Sequence, residues 1–304
     1  MYRMLIPGLV MVTVAGGVPG FNDEPERIEA PGIENLFRLS PKLLSGGQPE
    51  GEEAFQALAD LGVRTIVSVD GARPDLALAR QYGLRYVHLP VGYDGIPLDR
   101  AMALAKVMKD AKGTIYVHCH HGKHRGPAAA AVCAMVAEGW DHATARQWLE
   151  RAGTSPDYTG LYASIASFVP PSETALKTLT AADLPEQAEV PDLVEGMVEI
   201  DLRWEHLKLM ADAGFTVPND HPDLDPAHEA TLLVEHYREL ARLDESKGRG
   251  EVFLSLLARS ERNALALRDT LRPSTINREA ASTAFQAAAK DCKACHSRFR
   301  DRLP

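Results

Sequence analysis

The pattern of apolar residues changes near residue 169, and this change restricts the chain to two different folds in succession. Up to residue 168, short β-branched runs alternate with amphipathic stretches, which predicts a mostly parallel sheet with helices on both faces. Beyond residue 190 the strand pattern disappears and apolar residues recur at helical spacing. A chain of 304 residues is long enough for two domains that each bury a core.

The first domain is predicted at residues 33–168, with an α/β fold. Its buried strands are expected at RTIVSV (64–69), RYVHLP (85–90) and TIYVH (114–118). The stretches between them, EEAFQALADLG, DLALARQYG and DRAMALAKVMKDAKG, have helical spacing and end in glycine, as many helices do. Residues 169–190 are rich in proline and lack periodicity, which indicates a linker.

The second domain, at residues 191–304, is predicted to be an all-α four-helix bundle. The apolar face of its first helix steps by four and three residues through Leu193, Met197, Ile200, Trp204 and Leu207. The second helix is expected to begin after Asp225 as the N-cap, with Pro226 in its first turn. The third helix is expected from Glu251 to Leu271, and the fourth from Ser274.

Residues 1–20 have the order of a secretory signal: an early arginine, an apolar run from 5 to about 15, and then small residues. The run is too short to span a bilayer comfortably. We therefore expect export to the periplasm or another extracytoplasmic space, with an uncleaved N-terminal anchor as the alternative. The net charge of -9 and the pI near 5.7 argue against a nucleic-acid partner.

The stretch VHCHHGKHRGP (117–127) concentrates a cysteine, histidines, a lysine and an arginine between a predicted strand and a predicted helix. A loop at a helix N-terminus directs backbone N–H groups at an anion, and the guanidinium of Arg125 can hold two phosphate oxygens. Such surroundings favour a nucleophilic cysteine thiolate. The sequence therefore predicts a phosphate site with Cys119 as its nucleophile and Gly122 in the middle of the loop.

Because Cys119 and Arg125 have the spacing C-x5-R in this context, residues 36–168 resemble the compact, dual-specificity branch of the cysteine-dependent protein phosphatases. The resemblance implies that Cys119 forms a phosphocysteine, that Arg125 binds phosphate and stabilises the transition state, and that His118 orients the loop. It also implies a phosphate-binding loop at residues 119–126, the phosphate loop. Besides Cys119 and Arg125, this loop contains His120, His121, Gly122, Lys123, His124 and Gly126.

The same resemblance requires a general acid upstream of the loop. Asp94 fits this role because it lies in the glycine-rich turn of LPVGYDGIPLD, whereas Asp99 is expected to cap the helix that starts at Arg100. Gly126 departs from the family, which usually has Ser or Thr there to help the thiolate leave. Slow turnover, or phosphate binding without turnover, is therefore an open alternative.

The histidines of the loop also have a metal-binding interpretation. A phosphate cradle turns its backbone inward, so His120, His121 and His124 are expected to point outward without converging on a metal ion. Contacts with substrate or with solvent are then their expected roles. Cys133 is expected to be a small buried hydrophobe, with a regulatory disulfide to Cys119 as the alternative.

The motif CKACH near the C-terminus is the attachment signature of c-type haem. Cys292 and Cys295 are spaced to form thioether bonds with the two haem vinyl groups, and His296 then binds the iron axially. A zinc site would need two further ligands at similar spacing, and a thioredoxin-like pair would need a βαβ context. Neither context accompanies CKACH in the sequence.

Because CKACH lies in the last helix of a predicted bundle, the second domain resembles the cytochrome c-prime and c556 family. CKACHSRFR matches the terminal pattern of that family, including Arg300. The resemblance implies one covalent haem c and a sixth iron position that is either empty or filled from the first helix. Met197 is the candidate for that ligand, and a core methionine that fills a gap is the alternative.

Together these motifs predict an exported phosphatase that acts on phosphate monoesters and is fused to a haem domain for electron transfer or for redox or gas sensing. The expected partners are a phosphorylated protein or a small phosphate ester, a redox partner, and a second copy bound through the helical bundle. The alternative is a haem cytochrome whose phosphatase-like domain only binds phosphate or a partner.

Overall fold

A computed structural model of the chain describes residues 24–273 and 275–300. The expected export signal at residues 1–20 lies outside the described residues. The sheet has six strands: β1 (Glu26–Arg27), β2 (Phe37–Ser40), β3 (Leu43–Gly46), β4 (Val63–Ser68), β5 (Arg85–His88) and β6 (Thr114–His118). Their order is β1-β2-β3-β6-β4-β5. Strands β3, β6, β4 and β5 are parallel to one another, and β2 and β1 extend the sheet from β3 as antiparallel strands.

Helices cover both faces of this mixed sheet. They are α1 (Gly51–Asp60), α2 (Leu76–Gln81), α3 (Leu98–Asp110), α4 (Arg125–Ala137), α5 (His142–Ala152) and α6 (Thr159–Ser167). Successive residues of a strand point to opposite faces, so β6 directs Ile115 and Val117 into the core shared with α3–α6. Tyr116, between them, joins the second core, which α1 and α2 cover. The predicted α/β arrangement of this domain is confirmed.

The predicted strands and helices agree with these bounds to within a few residues, but the predicted cap of α3 is wrong. The helix begins at Leu98 with Pro97 as its N-cap, so Asp99 lies inside the first turn. Proline is favourable there because its fixed φ suits the entry to a helix and no N–H is needed. The carboxylate of Asp99 instead interacts favourably with the helix dipole.

The proline-rich segment 169–190, predicted as a linker, packs on the edge of the sheet. It contains α7 (Glu173–Leu176) and a short 3-10 helix (Ala181–Asp183). Leu184 is buried in the core beside α3–α6. The N–H of His88 in β5 donates to the carbonyl of Pro185 at 2.8 Å, and Ala188 N–H donates to Nδ1 of His88 at 3.1 Å. The segment therefore pairs the otherwise open edge of β5.

The helical region, residues 191–300, contains four long helices: α8 (Asp192–Asp212), α9 (Pro226–Arg242), α11 (Glu251–Leu271) and α12 (Arg278–Phe299), with the short α10 (Asp244–Gly248) between the second and third. Asp225 caps α9 as predicted, since its side chain accepts from His228 N–H at 2.7 Å. The predicted start of the last helix at Ser274 is wrong, because α12 begins at Arg278 with Asn277 as its cap. Asn277 accepts from Ala280 N–H at 3.1 Å, a hydrogen bond that a start at residue 274 would forfeit.

The helical region packs against the edge of the sheet at which the parallel strands end. Arg73 forms a forked ion pair with Glu195 of α8, with N–O distances from 2.8 to 3.1 Å. Val194 lies directly over Gly71, where an added Cβ would come within 2.4 Å of a Val194 methyl group. Among the described helices, none combines the length and the apolar character that a membrane span requires.

Candidate active site

The phosphate loop lies between the end of β6 at His118 and the start of α4 at Arg125. This is the carboxyl edge of the parallel strands, where open α/β sheets bind ligands. Cys119 is the first residue after the strand and its side chain is buried, with 3% of its surface exposed. Arg125 and Gly126 open the helix, so their backbone N–H groups have no acceptor within α4 and are suited to an anion.

Gly122 fixes the turn of the loop. Its φ is +66°, in the left-handed region, and a Cβ there would lie 2.3 Å from the carbonyl carbon of Gly46 and 2.5 Å from the nitrogen of Gly47. The Gly122 carbonyl accepts from the amide of Asn35 at 2.9 Å, and the His120 carbonyl accepts from Gln48 N–H at 2.9 Å. Asn35 and Gln48, which precede α1, thus anchor the loop through hydrogen bonds. Only glycine fits at position 122.

Asp70 is the carboxylate that organises the loop, and the sequence analysis did not identify it. Its Oδ2 accepts from the N–H of His120 at 2.7 Å and from Nη2 of Arg125 at 2.8 Å, while Oδ1 accepts from Ala72 N–H at 2.9 Å. Burial alone would raise the pKa of Asp70, but Arg125 and these backbone donors outweigh it and hold the pKa well below its usual range. Asp70 is therefore ionised across the neutral range.

Arg125 retains an unused donor beside the cysteine. Its guanidinium is buried, is paired with Asp70, and lies 4.6 Å from the centre of the Tyr93 ring. Among the described residues, Nε of Arg125 has no hydrogen-bond acceptor although it is buried. An unpaired buried donor is costly, and a phosphate oxygen in the loop would satisfy it.

His118 supports the loop from within the core, as a neutral side chain. It is fully buried, and Tyr86 OH lies 2.8 Å from its Nε2. Burial lowers the pKa of His118 to about 4 against the opposing effect of Asp70, so the ring is uncharged at pH 7. His124 is also neutral, because burial and the nearby cationic groups lower its pKa to about 4. Lys123 and Arg125 consequently supply the fixed positive charge of the loop.

Gly126 lies directly against the nucleophile. A Cβ at this position would be 3.3 Å from Sγ of Cys119 and 3.0 Å from its backbone nitrogen. A side chain at this position therefore requires its neighbours to shift by a few tenths of an ångström. Gly126, which stands where the family usually has Ser or Thr, is thus next to the sulfur of Cys119.

Asp94 lies in the predicted position, in an exposed bend between β5 and α3. The bend is held by α6: Ile96 N–H donates to the hydroxyl of Ser164 at 2.8 Å, and a Cβ on Gly160 would collide with the carbonyl of Asp94 at 2.0 Å. Among the described residues, no hydrogen bond joins the Asp94 carboxylate to the phosphate loop. Its role as the general acid stays a prediction.

The mouth of the site is lined by aromatic rings and by a residue of the helical region. Tyr93 and Tyr158 have ring centroids 4.6 Å apart, and His124 lies 4.6 Å from Tyr158. The guanidinium of Arg300, just after α12, lies 4.5 Å from the Tyr93 ring and donates to Tyr158 OH at 3.1 Å. The sequence placed Arg300 in the haem motif, and only the fold brings it to the phosphate loop.

Two of the loop histidines meet carboxylates of α8, so the expectation that they lack converging partners is wrong. Nε2 of His120 lies 3.6 Å from Oδ2 of Asp201, and Nε2 of His121 lies 4.0 Å from Oε1 of Glu205. The helical region supplies the acidic groups that the sequence of the loop does not reveal.

Cys292, Cys295 and His296 of the CKACH motif lie on one side of α12, near its end. Cys292 and Cys295 are free thiols. Sγ of Cys292 is 3.6 Å from Tyr237 OH, while Cys295 is buried in the core of the helical region and burial raises its pKa to about 11. His296 follows directly and is half-buried. Two thiols three residues apart, followed by an imidazole, are a donor set that fits haem c.

The surroundings of Met197 agree with a core methionine, and those of Cys133 agree with a small buried hydrophobe. Met197 is half-buried on α8 against the core of the helical region, and its ligation of iron stays a prediction. Cys133 is a free cysteine, fully buried in α4, and burial raises its pKa to about 12. The predicted burial of Cys133 is confirmed.

Comparison with known proteins gives a match for the α/β part of the chain. Residues 37–166 match a family model described as "Swiss Army Knife protein, DSP-PTPase phosphatase domain". Two curated relatives are the dual specificity protein phosphatase TpbA from two strains of Pseudomonas aeruginosa, 31% and 29% identical over 121 residues. These alignments cover 39% of this chain and 55% of each relative, so the chain spans about half the length of the curated relatives it matches.

A solved structure is similar over the same part. The crystal structure of P. aeruginosa TpbA is 25% identical, with a TM-score of 0.43. The similarity covers 53% of this chain and 96% of that chain.

Proposed function

We propose that this chain, whose residues 37–166 are a domain of the dual-specificity phosphatase type similar to TpbA, hydrolyses phosphate monoesters through Cys119. The observation that carries the proposal is the buried, unpaired Nε–H of Arg125 beside a buried cysteine at a helix N-terminus. Release of inorganic phosphate from aryl phosphates by the full-length protein tests it. Wild-type protein inactive on every aryl phosphate would leave a phosphate-binding module as the function of this domain.

The reaction has two displacements at phosphorus. In the first, the Cys119 thiolate forms an S–P bond while the ester P–O bond breaks, and Asp94 gives its proton to the leaving oxygen. In the second, water attacks the phosphocysteine, the Asp94 carboxylate accepts a proton from that water, and the S–P bond breaks to release phosphate. Arg125 and the amides at the start of α4 bind the phosphoryl oxygens throughout.

Asp70 is a positioning residue in this mechanism. It touches neither the sulfur nor the leaving group, but it fixes the N–H of His120 and the guanidinium of Arg125 before substrate arrives. Because preorganised donors need no rearrangement in the transition state, this pairing favours catalysis. It also keeps a buried negative charge beside the arginine, so that Arg125 is not an isolated buried cation.

The aromatic mouth supports an aryl phosphate as substrate. Tyr93 and Tyr158 offer ring faces and edges next to the loop, and offset contacts between aromatic rings are favourable. Phosphotyrosine in a protein, or a small aryl phosphate, uses these rings, whereas phosphoserine or a sugar phosphate uses the loop alone. We therefore place aryl phosphates first among the expected substrates.

Replacing Asp94 with asparagine is expected to slow esters with poor leaving groups by roughly 10²–10⁴-fold, because such oxygens leave only when protonated. Esters of acidic phenols, which leave without a proton, should lose much less. The measurement is kcat/KM across a series of aryl phosphates of rising phenol pKa. Asp99→Asn, in the first turn of α3, is the matched control. Equal losses for good and poor leaving groups would remove Asp94 from the role of general acid.

Replacing Gly126 with serine is expected to accelerate the second displacement, because the new hydroxyl lies within reach of Sγ of Cys119. A hydrogen bond to a charged group is worth about 1.5 kcal/mol, which is roughly tenfold in rate. Pre-steady-state release of the phenol should show a smaller burst and a faster steady phase. Gly126→Ala adds the same Cβ without the hydroxyl and should not accelerate the reaction. If both variants behave alike, the hydroxyl has no such role.

We propose in addition that the helical region carries one haem c through Cys292 and Cys295, with His296 as axial ligand and Met197 as the candidate sixth ligand. The donor set on α12 and the half-buried position of His296 support this assignment. The haem would supply one-electron or gas-binding chemistry at this end of the region. Tyr237, whose hydroxyl is 3.6 Å from Sγ of Cys292, orients that thiol.

Export belongs to the same proposal, because covalent haem attachment in bacteria takes place outside the cytoplasm. A periplasmic or other extracytoplasmic protein would meet an electron donor or acceptor there as its redox partner. The alternative function is a haem electron-transfer or ligand-binding protein whose phosphatase-type domain only binds phosphate or a partner. Gly126 favours the alternative, and the organised contacts of Cys119, Arg125 and Asp70 favour the enzyme.

A further inference from the structure

A cluster of metal-ligating side chains lies where the phosphate loop meets α8, outside the cradle that holds the nucleophile. His120 and His121 come from the loop, and Asp201 comes from the middle of α8. One ligand atom from each of the three residues lies within 4.8 Å of the others. Nε2 of His120 and Oδ2 of Asp201 are 3.6 Å apart.

The three side chains arrive from two rigid elements, which makes their convergence a property of the fold. The loop is fixed by the His120 N–H bond to Asp70 and by the His120 carbonyl bond to Gln48. The adjacent imidazoles are turned toward each other, with ring centroids 4.3 Å apart. Asp201 belongs to a helix of 21 residues that Glu195 anchors to Arg73.

We propose that His120, His121 and Asp201 bind a divalent transition metal ion of the zinc class. Two imidazole nitrogens and one carboxylate oxygen are the ligand types that Zn²⁺ prefers, and three protein ligands leave a fourth position open. Ligand atoms of a tetrahedral site at zinc–ligand distances of 2.0–2.1 Å are roughly 3.3 Å apart. The observed separations therefore need only small side-chain rotations to close around an ion.

Glu205 is the neighbouring group for the fourth position. It lies one turn after Asp201 on the same face of α8, and its Oε1 is 4.0 Å from Nε2 of His121. Lys208 forms an ion pair with the same carboxylate oxygen. Because this pairing competes with a metal ion for Glu205, a water molecule is the expected fourth ligand.

Such a metal ion would join the helical region to the phosphate loop. His120 bonds through its backbone to Asp70, which also holds Arg125, so the ion would be one residue from the organised part of the active site. His120 and His121 would then act as ligands rather than as solvated or substrate-contacting residues. The proposal stands whether or not the phosphatase reaction is fast.

The test is a zinc titration of the full-length protein by calorimetry, with zinc per chain measured by elemental analysis after desalting. Wild-type protein should bind one zinc ion per chain. Asp201→Asn and His121→Gln should each weaken binding by about tenfold or more, since each removes one ligand. Both side chains are partly exposed, so the variants are expected to fold, which their thermal unfolding checks.

Two controls separate this site from other zinc-binding groups of the chain. Asp212→Asn removes an exposed carboxylate at the end of α8 and should bind zinc like wild type. Cys119→Ser removes the soft thiolate of the loop and should also retain the ion. Zinc binding that survives Asp201→Asn and His121→Gln, or that is lost in Cys119→Ser, would overturn the proposed ligand set.

Discussion

Replacing Cys119 with serine is expected to abolish hydrolysis of aryl phosphates, with a loss in kcat of roughly 10⁴–10⁶-fold. A serine hydroxyl has nearly the shape of the thiol but is a far weaker nucleophile at neutral pH. Cys119 is buried directly after β6, and serine changes its side chain only by exchanging sulfur for a smaller oxygen. The variant should therefore keep the loop and still bind inorganic phosphate, which calorimetry can measure.

The matched control for this variant is Cys133→Ala. Cys133 is also buried and lies on α4, which begins at the phosphate loop, but it does not take part in the proposed chemistry. Its replacement leaves a small cavity and should change stability more than kcat. If Cys119→Ser retains turnover while Cys133→Ala loses it, the nucleophile has been assigned to the wrong residue.

Replacing both Cys292 and Cys295 with alanine is expected to eliminate covalent haem. The two thioether bonds are the only covalent attachment that the donor set of α12 offers, so acid–acetone extraction should remove all haem from the double variant. Wild-type protein should keep its haem through the same treatment. Each single variant should keep one bond and therefore retain haem with a shifted absorption spectrum, because one vinyl group stays unsaturated.

The Cys119→Ser protein is the control for the haem experiment, since it also lacks one cysteine but should extract like wild type. His296→Ala separates attachment from ligation: its haem should remain covalent while the axial ligand is lost. A wild-type protein that releases all of its haem on extraction, or that is purified without any, would contradict the haem proposal. The phosphatase proposal does not depend on this result.

The sequence predicted best those features that a local pattern determines. Strand β6 was predicted at its observed bounds, because five residues between a lysine-glycine turn and the loop have strand propensity. The third helix of the helical region was also predicted at its observed bounds, from Glu251 to Leu271. Asp225 was predicted as a cap from residue type alone, since an Asp before Pro at a helix start can accept from the unpaired N–H groups of the first turn.

The features that the sequence did not reveal depend on residues far apart in the chain. Asp70 follows the stretch RTIVSV, and an aspartate after a strand is a weak indication of function. Its pairing with Arg125 appears only because β4 and β6 are neighbours in the sheet. Arg300 approaches Tyr93 across the boundary between the two regions. Asp201 meets His120 in the same way, from α8, whose sequence predicts its apolar core face but not the partner of its acidic residues.

Two segments have local structure that their composition did not indicate. The linker prediction for residues 169–190 rested on proline content, but Leu184 and the Pro185 carbonyl find partners beside β5. Proline removes a donor without removing an acceptor, so a proline-rich segment can still cover a strand edge. The predicted start of α12 was wrong because the helix begins after Asn277, whose side chain accepts from Ala280 N–H as an N-cap.

The most direct test of the phosphatase proposal is rapid-quench mass spectrometry of the wild-type protein mixed with an aryl phosphate. Because Gly126 provides no hydroxyl next to Sγ of Cys119, hydrolysis of the phosphoenzyme is expected to be the slower step. A phosphoryl group should therefore accumulate on the peptide that contains Cys119 within the first turnover, and should be absent from the Cys119→Ser protein. Release of phenol and phosphate without any phosphorylated Cys119 before the steady state would contradict the proposed mechanism.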